Sequence, residues 1–122
     1  MIGRLGLTSI WSEDLNNLLP FYRDTLGLKV GMESPGFVIF GDPNEPTVAL
    51  GTHSDVRGRA VDPARHIVGF ETDDIQADSA RLKAAGVKFI EEPNNFGGGW
   101  IATFEDPEGN FLQLFQMERG GP

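Results

Sequence analysis

The sequence predicts an α+β fold made of one small module written twice, each copy running strand, helix, strand, strand, strand. Three observations carry this. Asp106-Pro107-Glu108-Gly109 is a turn between two apolar runs, because Pro fixes φ, Asp can bond its own backbone and Gly takes a left-handed conformation at no steric cost. Sixty-four residues upstream, Phe40-Gly41-Asp42-Pro43 stands where Phe104-Glu105-Asp106-Pro107 stands, and Val48-Ala49-Leu50 falls on Leu112-Gln113-Leu114. Nearer the start of each half, Asp14-Leu15 matches Asp74-Ile75, and Leu26-Gly27-Leu28-Lys29 matches Ala85-Gly86-Val87-Lys88. The result is an internal duplication of about 60 residues, module 1 at about 4–52 and module 2 at about 66–118, within one domain spanning 1–122. Two copies are too few for a solenoid, so two small sheets side by side are expected.

Each element has its own signal. Leu5, Leu7, Ser9 and Trp11 alternate with Gly6, Thr8, Ile10 and Ser12, as a strand does, and Ser12-Glu13-Asp14 supplies helix-capping residues. Leu15, Leu18, Leu19, Tyr22 and Leu26 recur at the spacing of one helix face, so an amphipathic helix is expected over Leu15–Leu26. Pro20 should bend that helix or remove a bond near Asn16, and Gly27 is a natural stop. Strands are expected near Leu28–Met32, at Phe37–Phe40 and at Thr47–Gly51, the last two joined by a turn over Gly41–Pro46. Thr52–Arg65 has no apolar period and reads as the linker. In module 2, Ile67–Thr72 is a strand, and Asp73-Asp74 caps a helix to Ala85 with Ile75, Ala77, Leu82 and Ala85 apolar. Val87–Ile90 is the next strand, Glu91–Gly99 a polar Gly-rich loop, and Trp100–Phe104 with Phe111–Met117 the closing hairpin.

Composition bounds the function. At 122 residues and 39% hydrophobic content the chain can bury a real core. With no cysteine, thiolate metal sites, disulfides and cysteine nucleophiles are excluded. A formal charge of −8 argues against nucleic acid, whose binding rests on clustered Lys and Arg, and suits a cationic small ligand, although most acidic domains are merely soluble. No apolar run approaches the ~20 residues of a membrane span, and Met1-Ile2-Gly3-Arg4 leads straight into a strand pattern, so the expected location is the cytoplasm.

Several stretches together resemble a known family. Asp14-Leu15 leading to Phe21-Tyr22-Arg23-Asp24-Thr25-Leu26-Gly27-Leu28-Lys29-Val30, then Phe70-Glu71-Thr72-Asp73-Asp74, then Leu82-Lys83-Ala84-Ala85-Gly86-Val87, then Phe104-Glu105-Asp106-Pro107-Glu108-Gly109-Asn110, look like the vicinal oxygen chelate superfamily. That group contains glyoxalases, bleomycin-resistance proteins, extradiol dioxygenases, fosfomycin-resistance transferases and methylmalonyl-CoA epimerases. The resemblance implies paired βαβββ modules whose sheets form a cup, often in a homodimer. It also implies, in the enzymes, a divalent metal held by one residue on the first strand and one on the last strand of each module, polarising paired substrate oxygens.

Carried over residue by residue, those four positions fall on Leu7, Ala49, Ile67 and Gln113. Of these, only Gln113 has a ligating atom, and one neutral carbonyl oxygen does not hold a divalent cation. His66 stands one position before Ile67 and, joined with Gln113, serves a metal only if a one-residue bulge turns it inward. His53 lies just past a strand end, where it either reaches the rim or is an ordinary loop residue. Glu71 has cup-facing parity and is the best-placed carboxylate for a general base or for gripping a cation, with solvent exposure as the plain alternative. The two-His-one-carboxylate set of iron-dependent ring cleavage is missing, which disfavours dioxygenase activity.

The residues then expected to bind a ligand are Leu7, Ser9, Trp11 and Ala49 from module 1, and Ile67, Glu71, Trp100, Gln113 and Phe115 from module 2. Gly51, Gly69 and Met117 share their parity, and Gly97-Gly98-Gly99 before Trp100 is either a flexible lid or a simple chain reversal. A largely apolar cup with an indole at one edge suits an aromatic or hydrophobic small molecule, the alternative being that these side chains simply fill the cup. Two function classes fit: a metal-free binding protein of the bleomycin-resistance type, and a divalent-metal glyoxalase- or epimerase-type enzyme with a divergent site. The ligand positions favour the first. A metal-free enzyme with Glu71 as base is a third, weaker reading.

Overall fold

The computed structural model describes residues 1–42 and 44–118. It divides into two compact units, Met1–Gly58 and a second beginning at Arg59. Unit 1 contains β1 (Leu7–Ser12), β2 (Val30–Ser34), β3 (Phe37–Phe40) and β4 (Thr47–Thr52). Unit 2 contains β5 (Val68–Glu71), α1 (Ile75–Ala84), β6 (Phe89–Asn95), β7 (Gly99–Glu105) and β8 (Phe111–Met117). Each unit builds one four-stranded mixed sheet, ordered β1-β4-β3-β2 and β5-β8-β7-β6. In both, the first strand pairs in parallel with the last, and the other two pairings are antiparallel. The duplication read from the sequence is thus a duplication of topology.

Period-2 alternation sorts each sheet into a helix-packed face and an opposite face. In unit 1, Val38, Phe40, Val48 and Leu50 are buried together with Leu15, Leu18, Leu19 and Tyr22, and the Tyr22 and Phe40 rings stack 6.3 Å apart. In unit 2, Ala102, Phe104, Leu112 and Leu114 are buried with Ile75 and Leu82 of α1. Asp74 caps α1 by accepting a bond from the Ala77 amide at 3.0 Å, and Gly86, at φ +90°, ends it.

Two local expectations need correction, and one element gains detail. The helix expected over Leu15–Leu26 is a 3-10 turn, Leu15–Asn17, followed by a π-helical turn, Phe21–Thr25. Pro20 has no N–H to give the carbonyl four residues back, and beyond it the Leu26 amide reaches Phe21 O at 2.8 Å, a five-residue step. The apolar stripe survives, with Leu15, Leu18, Leu19 and Tyr22 all buried. In α1 the inward positions are Ile75, Ser79 and Leu82, while Ala77 is exposed. Finally, the loop expected over Glu91–Gly99 is strand as far as Asn95, its pairing with β7 interrupted by two register shifts. β6 is an edge strand, so Pro93 costs little there.

The turns follow their residues. Between Gly41 and Pro46, Asp42 Oδ1 accepts from the Asn44 amide at 2.8 Å, while Pro43 lies outside the described residues. In the matching turn of unit 2, Asp106 is 3% exposed and accepts from the amides of Glu108 and Asn110 and from Asn110 Nδ2. The β2 bulge falls at Gly31, where a Cβ would collide with Gly41 O, so glycine is required.

Candidate functional site

The faces opposite the helices carry most of the residues expected to bind a ligand. On sheet 1, Leu7, Ser9 and Trp11 lie beside Thr47, Ala49 and Gly51 in continuous register. Ala49 is fully buried and pairs with Ile39 on its other side, whereas Leu7 and Trp11 are each 41% exposed. The Trp11 ring lies over Gly51: a Cβ there would sit 2.6 Å from Trp11 Cε3 and 3.1 Å from Phe37 Cδ1. Phe37 stacks against the indole at 5.8 Å between centroids, and His53 meets it edge-on at 5.6 Å. His53 Nδ1 also accepts from the Asp55 amide at 3.0 Å, so the imidazole closes its own turn.

On sheet 2, Gly69 pairs with Gln113 and Glu71 with Phe115, and across β8 these meet Thr103 and Ile101. Gln113 Nε2 donates to Thr103 Oγ1 at 3.1 Å. The register of β5 runs unbroken from Val68 to Glu71, with no bulge, and His66 precedes the strand and is exposed. His66 thus lies outside the paired part of β5, and no bulge falls within that part. Ile67 also precedes the strand, half-buried.

At the end of this sheet lies a pocket of about 570 Å³ lined by Glu71, Thr72, Asp73, Trp100, Phe115, Gln116, Met117 and Glu118. Three of the expected ligand residues, Glu71, Trp100 and Phe115, meet there. Their routes differ. Glu71 and Phe115 come from the face opposite α1, whereas Trp100 pairs with Gln116, whose Oε1 accepts from the Ile75 amide at 2.7 Å on the helix side. Trp100 thus enters the pocket around the sheet end. The Gly-rich stretch before it is tied down: the Phe96 amide donates to Gly99 O, the Gly97 amide to Asn95 Oδ1, and the Glu118 amide to Gly98 O. The lining holds three carboxylates and no Lys, Arg or His. Glu118 accepts from Asn95 Nδ2 at 3.1 Å, while Glu71 and Asp73 have no side-chain hydrogen bond or ion pair among the described residues.

Sequence reasoning did not find Phe37, Ile39, Thr103, Thr72 or Asp73. Phe37-Val38-Ile39-Phe40 is apolar throughout, so parity alone cannot assign its faces; the paired register with Ala49 and Gly51 does. The chemistry of the four positions implied for a metal is equally plain. Leu7, Ala49 and Ile67 have no donor atoms, and Gln113 offers one amide oxygen, so this donor set does not fit a divalent cation. Among the described residues no group of three or more His, Asp or Glu side chains is placed to hold a metal elsewhere.

The whole pattern, from the first strand to the last, matches the family model of the Glyoxalase/Bleomycin resistance protein/Dioxygenase superfamily over residues 4–114. The chain belongs to that superfamily. It is 30% identical to the uncharacterised protein YurT of Bacillus subtilis over 129 residues, covering 93% of this chain and 98% of that one. Among solved structures it is similar to TnmS3, an antibiotic binding protein from a Streptomyces species, at 26% identity and TM-score 0.72, covering 96% and 98% of the two chains. A protein of unknown function from Agrobacterium tumefaciens shares the fold at TM-score 0.79 and 22% identity, covering 97% of each chain. No helix among the described residues is long and apolar enough to cross a membrane.

Proposed function

We propose that this superfamily member binds a small aromatic or hydrophobic molecule in the pocket at the end of sheet 2 and does so without the divalent metal used by the enzymes of the group. The carrying observation is the convergence of Trp100, Phe115 and Met117 on one pocket of about 570 Å³, beside the carboxylates of Glu71, Asp73 and Glu118. Aromatic rings offer a ligand large apolar area at low entropic cost, worth roughly 0.5–1.5 kcal/mol per ring pair beyond burial. Likeness to a protein described as antibiotic binding supports a binding role over a catalytic one. Cytoplasmic residence and a homodimer complete the proposal, the latter because the fold family often assembles that way.

Two measurements test it. Protein purified without chelator is analysed for metals and then titrated calorimetrically with Ni²⁺, Zn²⁺, Mn²⁺ and Fe²⁺. We expect no stoichiometric metal and no binding tighter than about millimolar; stoichiometric metal that is lost in His66→Ala sinks the metal-free reading. Aromatic compounds are then screened by Trp100 fluorescence in a Trp11→Phe background, where Phe115→Ala should weaken any hit by up to about tenfold. A second, catalytic reading keeps one specific support, the carboxylate of Glu71 lining the pocket with no partner among the described residues. If Glu71→Gln leaves a hit's affinity unchanged and abolishes its slow chemical conversion, that reading replaces the first.

A further inference from the structure

We infer that Gly69 is the specificity-determining position of the sheet 2 pocket: by having no side chain it seats the Phe115 ring, holds it back from the pocket, and sets the size of ligand admitted. The inference rests on the reading of that pocket as the ligand site. A Cβ at Gly69 would lie 2.5 Å from Phe115 Cε2, 3.0 Å from Cδ2 and 3.8 Å from Cζ. The ring therefore leans across to the position diagonal to its own partner, Glu71, and occupies the volume a side chain at residue 69 would need.

The lean has a direction. Gly69 and its partner Gln113 lie on the inner side of Phe115, away from the pocket, whereas Glu71, directly across from Phe115, and Met117, the next residue of the same face along β8, both line it. A methyl at residue 69 displaces the tip of a side chain that can turn, not the backbone, so the ring gives way. Strand side chains lean along the strand in one of a few staggered positions, and the lean that remains carries the ring toward Glu71 and Met117, into the pocket.

Unit 1 shows that such a seat is not merely copied with the repeat. There the ring, Trp11, is on the first strand and the glycine, Gly51, on the last, while in unit 2 the glycine is on the first strand and the ring on the last. The 64-residue offset between the closing hairpins places Gly51 on Phe115, so the two halves reach a glycine-seated ring from opposite strands.

The test is a double-mutant cycle of Gly69→Ala and Phe115→Ala, read by NMR and by two probes, indole and the larger N-phenyl-1-naphthylamine. In the wild type the Phe115 ring protons should show NOEs to the Gly69 Hα protons. Gly69→Ala should bring new NOEs from the ring to Met117 or Trp100, weaken the larger probe at least tenfold and leave indole within threefold. In the Phe115→Ala background the same change should move neither probe more than threefold. An unmoved ring, equal loss of both probes, or a further tenfold loss in the double variant overturns the inference. Should Gly69→Ala alone fail to fold, the comparison of Phe115→Ala with the double variant still decides it. Binding that is indifferent to Gly69→Ala sinks this inference and spares the pocket, whereas a displaced ring in a protein that binds neither probe sinks the pocket reading and the specificity role with it.

Discussion

Asp106→Ala should be among the most damaging single changes outside the apolar core. The Asp106 carboxylate is 3% exposed and accepts from the Glu108 amide at 2.8 Å, the Asn110 amide at 3.0 Å and Asn110 Nδ2 at 2.8 Å. Its own amide and carbonyl close the same turn through Asn110 O and the Gly109 amide. Hydrogen bonds to a charged group contribute about 1.5–3 kcal/mol each. The three are not additive, because Pro107 is exposed and Glu108 and Asn110 are half-exposed, so water can reach part of the freed donors. A net loss of about 3 kcal/mol is expected from Ala, and about 1–1.5 kcal/mol from Asn, which keeps one acceptor oxygen. Urea unfolding followed by circular dichroism measures both. With a slope of roughly 1.5 kcal/mol per molar, Ala should lower the midpoint by about 2 M and Asn by less than about 1 M. A loss under about 0.5 kcal/mol for Ala, or Asn as harmful as Ala, would refute the argument that this carboxylate organises the β7–β8 hairpin.

Three further outcomes are expected. Ser79→Ala should stabilise the protein by about 1 kcal/mol, since Ser79 Oγ is buried in the α1 interface without a hydrogen-bond partner among the described residues; a loss on urea unfolding would show that a water serves it. Gly51→Ala should cost about 1–3 kcal/mol and change the emission of Trp11, measured in a Trp100→Phe background, because the new methyl evicts the indole from its seat. Phe104→Ala, fully buried beneath α1 and packed on Phe89 at 5.6 Å between ring centroids, should cost about 3–5 kcal/mol by thermal or urea unfolding, and a smaller loss would mean the site collapses around the gap.

The sequence by itself determined the architecture, because turn chemistry and capping are local. Asp106-Pro107-Glu108-Gly109, the caps Asp14 and Asp74, and the stops Gly27 and Gly86 act within a few residues of themselves, so two strand-helix-strand-strand-strand modules and most of the core could be read directly. The chemistry of Leu7, Ala49, Ile67 and Gln113 was equally legible, since residue type alone decides what can ligate a metal. The helix around Pro20 was less so: periodicity reports which residues are buried, and Leu15 to Tyr22 are buried in the same stripe whether the backbone is α, 3-10 or π. Where Trp100 points was decided by pairing, because Trp100 could be assigned to a face only once it stood opposite Gln116. The same holds for the pocket. Glu71, Trp100 and Phe115 come from three strands, and the seat that Gly69 offers Phe115 is a diagonal contact between β5 and β8, more than forty residues apart in the chain. Residue types and local turns are properties of the chain, whereas the approach of one strand's glycine to another's ring exists only after the sheet has formed.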